Sequence, residues 1–305
     1  MAYSVGMRIV SLLASGTEIV CALGAGDLLV GRSHECDNPA WVKSLPCCSD
    51  PAFDVSAPSC VIDAEVRRRI HAGEPLYLVH DELILELAPD LVITQEHCKV
   101  CAVTPGDVEQ SHNGMRLLAL KAGSLAGIFQ DIVAVSTALG IEQQGEELVC
   151  REKQRLANVS ARVANKRRPS VVMLEWLDPL FAMGNWGPEL VEIANGDLLL
   201  GAKGEYSRAV PAEQLRAANP EYLIVAPCGF DLKRTLSERA LVEALPWWRE
   251  LRAVKAGHVA FADGNRFFNR SGITTSQTAE IIAEILHGVT FGEPAKGVNW
   301  VSDPQ

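Results

Sequence analysis

The sequence predicts an α/β protein built as two Rossmann-like lobes with mostly parallel sheets, joined by a long helical backbone. Three observations predict it. The segment Gly26-Asp27-Leu28-Leu29-Val30-Gly31 returns as Gly196-Asp197-Leu198-Leu199-Leu200-Gly201. A unit running from Glu82 to Pro89 and into Leu91-Val92-Ile93 returns, with the same Glu-to-Pro spacing, from Glu213 to Pro220 and into Tyr222-Leu223-Ile224-Val225. Between the halves lies a long stretch rich in Glu, Lys, Arg, Gln and Ala. Two different motifs recurring in the same order point to a duplicated unit.

Each element follows from local chemistry. Arg8–Leu13 and Ser170–Glu175 read as buried opening strands, because short apolar runs of this kind enter parallel sheets. Helices are expected next, over Thr17–Leu23 and Pro188–Ala194. In the Glu-to-Pro units, a carboxylate in the first turn complements the helix dipole. The proline then ends the helix, since it lacks an N–H and disfavours a helical residue before it. Leu125–Ala138 and Glu142–Val163 are expected as helices separated at Gly140, with Pro169 stopping the second. The predicted division is an N-terminal lobe over 1–122, a helical connection over 123–168, a C-terminal lobe over 169–290 and a tail over 291–305. A helical connection predicts small hinge motion.

Composition narrows the function. The net charge of −10 argues against a general nucleic-acid binder, because phosphates would be repelled. No stretch approaches the ~20 apolar residues of a membrane span, so membrane insertion is not expected. The apolar residues 9–17 are bracketed by Arg8 and Glu18 and make a poor export leader. A cytoplasmic location is therefore expected, with the periplasm as the alternative. No nucleophile elbow, phosphate loop or dinucleotide fingerprint occurs, and a binding protein rather than an enzyme is expected.

Nine irregularly spaced cysteines do not form a secreted disulfide framework. Adjacent Cys47 and Cys48 are a poor disulfide pair on geometric grounds. His97, Cys98 and Cys101 follow a predicted strand, and His34 and Cys36 follow another at the same sheet edge. Thiolates with imidazoles are a ligand set for zinc or iron, Cys-x-x-Cys also suits a dithiol redox pair, and ordinary buried thiols are a third reading.

Ser11-Leu12-Leu13-Ala14-Ser15-Gly16-Thr17-Glu18, Ala88-Pro89-Asp90-Leu91-Val92-Ile93 and Ala218-Asn219-Pro220-Glu221-Tyr222-Leu223-Ile224-Val225 carry a resemblance. With them the sequence resembles the helical-backbone (class III) substrate-binding proteins of ABC importers. Ser33–Asp37, Gln95–Cys101, Gly187–Leu190 and Asp263–Asn265 bring it nearest the cobalamin- and iron-chelate-binding branch. The resemblance implies a small ligand, cobalamin or a related corrinoid or metal chelate, in a cleft between the lobes. Implied contacts are Ala14, Ser15, His34 and Gln95 in the first lobe. In the second they are Trp176, Phe181, Trp186 and the loop Phe267, Phe268, Asn269 and Arg270. Aromatic faces suit a flat ligand, and Arg270 suits its peripheral polar groups. The resemblance also implies an ABC transporter permease as partner, docked through Glu82 and Glu213; their other reading is as plain helix-start acids. The sequence departs from the branch at Ser271-Gly272-Ile273-Thr274, where a further proline-arginine pair is expected, and in the longer Pro46–Pro75 segment.

Overall fold

The computed structural model describes residues 6–97, 100, 102–108 and 115–303. The chain divides into two compact units, Met1–Ala57 with Ala64–Arg151, and Pro58–Asp63 with Glu152–Gln305.

The elements of the first half are β1 (Ile9–Ser11), α1 (Ala14–Ala22), β2 (Leu29–Arg32), β3 (Ser49–Pro51), α2 (Ser59–Ala72), β4 (Tyr77–Val79), α3 (Asp81–Leu87), β5 (Leu91–Gln95), β6 (Arg116–Leu120), α4 (Leu125–Leu139) and α5 (Glu142–Val163). Four strands form a parallel sheet in the order β2-β1-β5-β6. All of β1 and β5 is buried, as their unbroken apolar runs require. Val10, Leu12, Ile84 and Val92 pack into one core with Cys48 and Tyr77. The Pro46–Pro75 region holds β3, which pairs antiparallel with β4 in a separate two-stranded sheet.

The second half continues with β7 (Ser170–Leu177), β8 (Leu180–Ala182), α6 (Gly187–Ile193), β9 (Asp197–Leu198), β10 (Arg208–Ala209), α7 (Ala212–Ala218), β11 (Tyr222–Val225), α8 (Leu232–Ser237), α9 (Arg239–Glu243), α10 (Arg252–Lys255), β12 (Val259–Ala262), α11 (Thr275–His287) and β13 (Trp300–Ser302). Its parallel strands β9, β7, β11 and β12 repeat the neighbour order of β2, β1, β5 and β6. The expected mostly parallel sheet gains antiparallel members here. β8 and β10 extend it on one side, and β13 pairs with β12 on the other. Trp247 and Trp248 fill the core against Val172, Val225 and Phe261.

The paired motifs share more than spacing. The residue before each proline, Ala88 and Asn219, stands in the left-handed region and closes its helix. The hexapeptides deliver β2 and β9 to the same place, alongside the first strand of their unit. The helical connection begins at Ser124, whose hydroxyl accepts from the Gly127 N–H at 3.2 Å. Gly140 ends α4 in the left-handed region (φ 70°), a conformation that suits glycine. The division between the units falls within α5, after Arg151. Beyond it, the Glu152 carboxylate accepts the Ser276 hydroxyl, and Arg155 pairs with Glu280 at 2.7 Å.

Candidate functional site

In open parallel sheets, ligands gather beyond the carboxyl ends of strands where the chain order reverses. That point lies between β1 and β5 in the first unit, and between β7 and β11 in the second.

In the first unit, the chain leaves β1 through Leu12–Leu13 and enters α1 at Ala14 and Ser15, both buried. His34 follows β2. Its Nδ1 meets Ser49 Oγ at 3.0 Å, and its ring tilts against Tyr77 at 5.5 Å between centroids. Burial pushes the His34 pKa below the ordinary histidine value, against the opposing pull of Asp50 and Ser49. The imidazole is thus neutral near pH 7. Among the described residues its Nε2 makes no hydrogen bond. Cys36 turns to other partners. Thr17 Oγ1 donates to its sulfur at 3.0 Å, Ser33 Oγ lies at 3.3 Å, and its S–H reaches Ser11 O at 3.6 Å. Burial raises its pKa, so Cys36 is a protonated thiol tying three segments together. The structure does not bring His34 and Cys36 to a common point.

Gln95, the last residue of β5, donates from Nε2 to Ala102 O at 3.3 Å. Glu96 pairs with Lys121 at 2.7 Å. His97 is half-buried beside Gly123. Asp131 accepts the Lys121 and Ala122 N–H groups at 3.0–3.1 Å, and burial raises its carboxyl pKa. Cys98 and Cys101 lie outside the described residues. Among the described residues, no group of three or more His, Cys, Asp or Glu side chains is placed to hold a metal.

In the second unit, Trp176 lies near the end of β7, opposite Phe181 of β8. Both rings are half-buried. The Trp176 ring tilts against Phe230 at 5.2 Å, across the β7/β11 switch. Arg234, paired with Glu238 at 2.7 Å, stacks its guanidinium 4.7 Å from the Phe230 ring. Trp176 Nε1 and Trp186 Nε1 are buried without a partner among the described residues. Phe230 carried no signal in the sequence, because a Pro-Cys-Gly-Phe loop has neither periodicity nor a motif. The pairing of Arg234 with Glu238 at i,i+4 could have been read.

After β12 a π-helical turn, Gly264–Phe268, presents the predicted loop. A Cβ on Gly264 would lie 2.1 Å from Pro227 O, so only glycine lets this turn close on β11. Asn269 donates from Nδ2 to Ala226 O and Gly264 O, each at 2.9 Å, and thus splints the loop. Phe267 is 4% and Phe268 1% exposed, so both rings pack inside in this structure. Arg270 is 6% exposed and donates to Asn265 Oδ1 at 3.2 Å.

Glu82 and Glu213 occupy the first turns of α3 and α7, both exposed. Glu82 has no ion pair among the described residues, whereas Glu213 accepts Trp247 Nε1–H at 3.1 Å and lies 3.7 Å from Arg216. No helix among the described residues is long and apolar enough to cross a membrane.

Known proteins share this architecture. An uncharacterized ABC transporter substrate-binding lipoprotein of Bacillus subtilis, YvrC, is 26% identical over 292 residues, covering 94% of this chain and 82% of its own. A periplasmic heme binding protein from Pseudomonas aeruginosa superposes with a TM-score of 0.72 at 20% identity, covering 98% of both chains. The periplasmic vitamin B12 binding protein BtuF of Vibrio cholerae gives 0.64 at 20% identity, covering 92% of this chain and 96% of its own. Residues 9–265 match the family described as periplasmic binding protein, and the chain is a member of that family.

Proposed function

We propose that the protein is the substrate-binding component of an ABC importer and that its ligand is a planar metal chelate, cobalamin or a related corrinoid foremost. The observation that carries this reading is the half-buried pair Trp176 and Phe181, backed by the buried Phe230 ring, at the strand switch of the second unit, with the buried cation of Arg270 on the neighbouring loop. Flat apolar faces beside one fixed cation suit a macrocycle with polar substituents. His34 adds a neutral imidazole at the corresponding strand edge of the first unit, the form that ligates metal. Periplasmic vitamin B12-binding and heme-binding proteins of similar fold support this ligand class.

Glu82 and Glu213 are proposed as the acidic contacts to a permease, being exposed and equivalently placed on α3 and α7. The lipoprotein and periplasmic names of the similar proteins favour the periplasmic alternative over a cytoplasmic location. Charge reversal at Glu82 is expected to stop transport while leaving chelate binding intact.

The test is a visible-spectrum and calorimetric titration of the purified chain with cyanocobalamin, hydroxocobalamin and hemin. A perturbed spectrum and a dissociation constant in the micromolar range or tighter are expected for a corrinoid. Hemin as the sole ligand would move the assignment within the chelates. No binding of any of the three at about 10 μM, a standard free energy near −7 kcal/mol, would overturn the reading.

A further inference from the structure

The second unit holds a cavity of about 270 Å³ that the chelate reading does not use. It lies among α11, Arg266 and Phe267 of the π-helical turn, the second half of α5 and the tail between α11 and β13. Its tail wall is pinned. Arg162 donates to Thr290 O at 2.6 Å and covers the Phe291 ring at 4.5 Å. Glu284 receives the Ala295 and Lys296 N–H groups, both at 2.9 Å.

The charges lining the cavity fall into two sets. Glu284 is occupied by the tail amides, and Arg155 and Glu280 satisfy each other at 2.7 Å. Arg266 and Glu293, both exposed, line the mouth of the cavity; the Arg266 guanidinium lies 5.5 Å from the Phe267 ring centroid, and among the described residues neither side chain forms an ion pair, with the other or with anything else. The side-chain amides of Gln277 and Asn299 line it too, and likewise make no hydrogen bond among the described residues. Opposite charges that share a cavity without meeting leave a gap that a molecule bearing both charges would bridge. A ligand with one charge would satisfy one wall only.

We propose that this cavity binds a small zwitterion of the α-amino-acid class, its carboxylate on Arg266 and its ammonium on Glu293, with Gln277 and Asn299 taking the remaining polar groups. A planar guanidinium fork matches a carboxylate. The volume suits a single amino acid and excludes a macrocycle. The inference goes beyond the chelate reading and does not depend on it.

Calorimetric titration of the full chain with L-glutamine, L-lysine and L-glutamate, and with acetate and ethylammonium as singly charged controls, tests it. At least one amino acid is expected to bind with a dissociation constant below about 1 mM, and the controls are expected to be silent. Glu293→Gln and Arg266→Gln should each weaken that binding at least about tenfold, one charged contact's share of ~1.4 kcal/mol. Glu293 is exposed on the tail, so its variant should keep the wild-type melting temperature and the wild-type cyanocobalamin titration. Absence of amino-acid binding, equal binding of acetate or ethylammonium, or binding that survives either substitution would overturn the proposal. Amino-acid binding without any chelate binding would overturn the chelate reading alone.

Discussion

Ala88 and Asn219 adopt the same left-handed backbone conformation, at φ 43°, ψ 60° and φ 41°, ψ 59°, each as the last residue before a proline. Proline disfavours the right-handed helical region for its predecessor, so each chain segment turns the other way and drops directly into a buried strand. Two side chains of different chemistry hold one geometry, which marks the turn itself as the shared feature.

Alanine has no compensation for that geometry, whereas Asn219 also accepts the Arg252 N–H at 2.9 Å through Oδ1. Ala88→Gly is therefore expected to stabilise the protein by about 1 kcal/mol, raising the melting temperature by a few degrees. Asn219→Gly should give no gain, because relief of the backbone is offset by the lost acceptor. Equal gains in thermal melts of the two variants would refute this difference.

Gly264 is a steric requirement of a different kind. Gly264→Ala should cost about 3 kcal/mol or more in urea unfolding, since the added carbon meets backbone that cannot step aside. Gly106→Ala is the control, because its nearest neighbour is the Thr104 hydroxyl at 3.8 Å, and it should unfold like the wild type within about 0.5 kcal/mol.

The aromatic residues should separate by role. Trp176→Ala and Phe181→Ala are expected to weaken chelate binding by roughly 10- to 100-fold with modest effects on folding. Phe268→Ala, at 1% exposure, should instead lose roughly 3–5 kcal/mol of stability. A stability loss for Trp176→Ala as large as that for Phe268→Ala would place Trp176 in the core.

Glu221 contributes to the acid limb of stability. Its Oε2 accepts the Ser170 N–H at 2.9 Å, and its Oε1 pairs with Arg167 at 2.7 Å and Arg252 at 3.0 Å. The Ser170 amide first, and then these arginines, hold its carboxyl below the ordinary glutamate pKa. A carboxyl whose pKa is depressed on folding contributes stability that is complete above its unfolded pKa, about 4.3, and is lost as the pH falls through its folded value. The difference in urea midpoint between wild type and Glu221→Gln should therefore hold steady from pH 7 to 5 and shrink below about pH 4. A difference that persists unchanged at pH 2 would refute the assignment.

The sequence exposed those parts of the fold that rest on repetition and punctuation. The strand–helix alternation, the two Glu-to-Pro units and the α5 limits Glu142–Val163 all follow from apolar runs and from residues with fixed backbone habits. The antiparallel additions did not show. β10 has two residues and β8 three, too short for a period of two to register. Of the candidate site, Trp176, Phe181 and His34 were legible through resemblance, while Phe230 and Arg234 depend on how the β11 loop folds back on β7. The buried state of Phe268 was hidden too, since a π-helical turn shifts by one residue which side chain points inward.

The antiparallel additions to the second sheet have a consequence for colloidal behaviour. A sheet of parallel strands exposes a full ladder of N–H and C=O groups wherever it stops, and such ladders recruit other chains. This one stops at the two residues of β10 on one side and the three of β13 on the other, where Lys296 lies over the Trp300 ring at 5.3 Å. Stubs of that length offer few ladder bonds to a strand from another chain, so the edges of this sheet are poor templates for edge-to-edge growth.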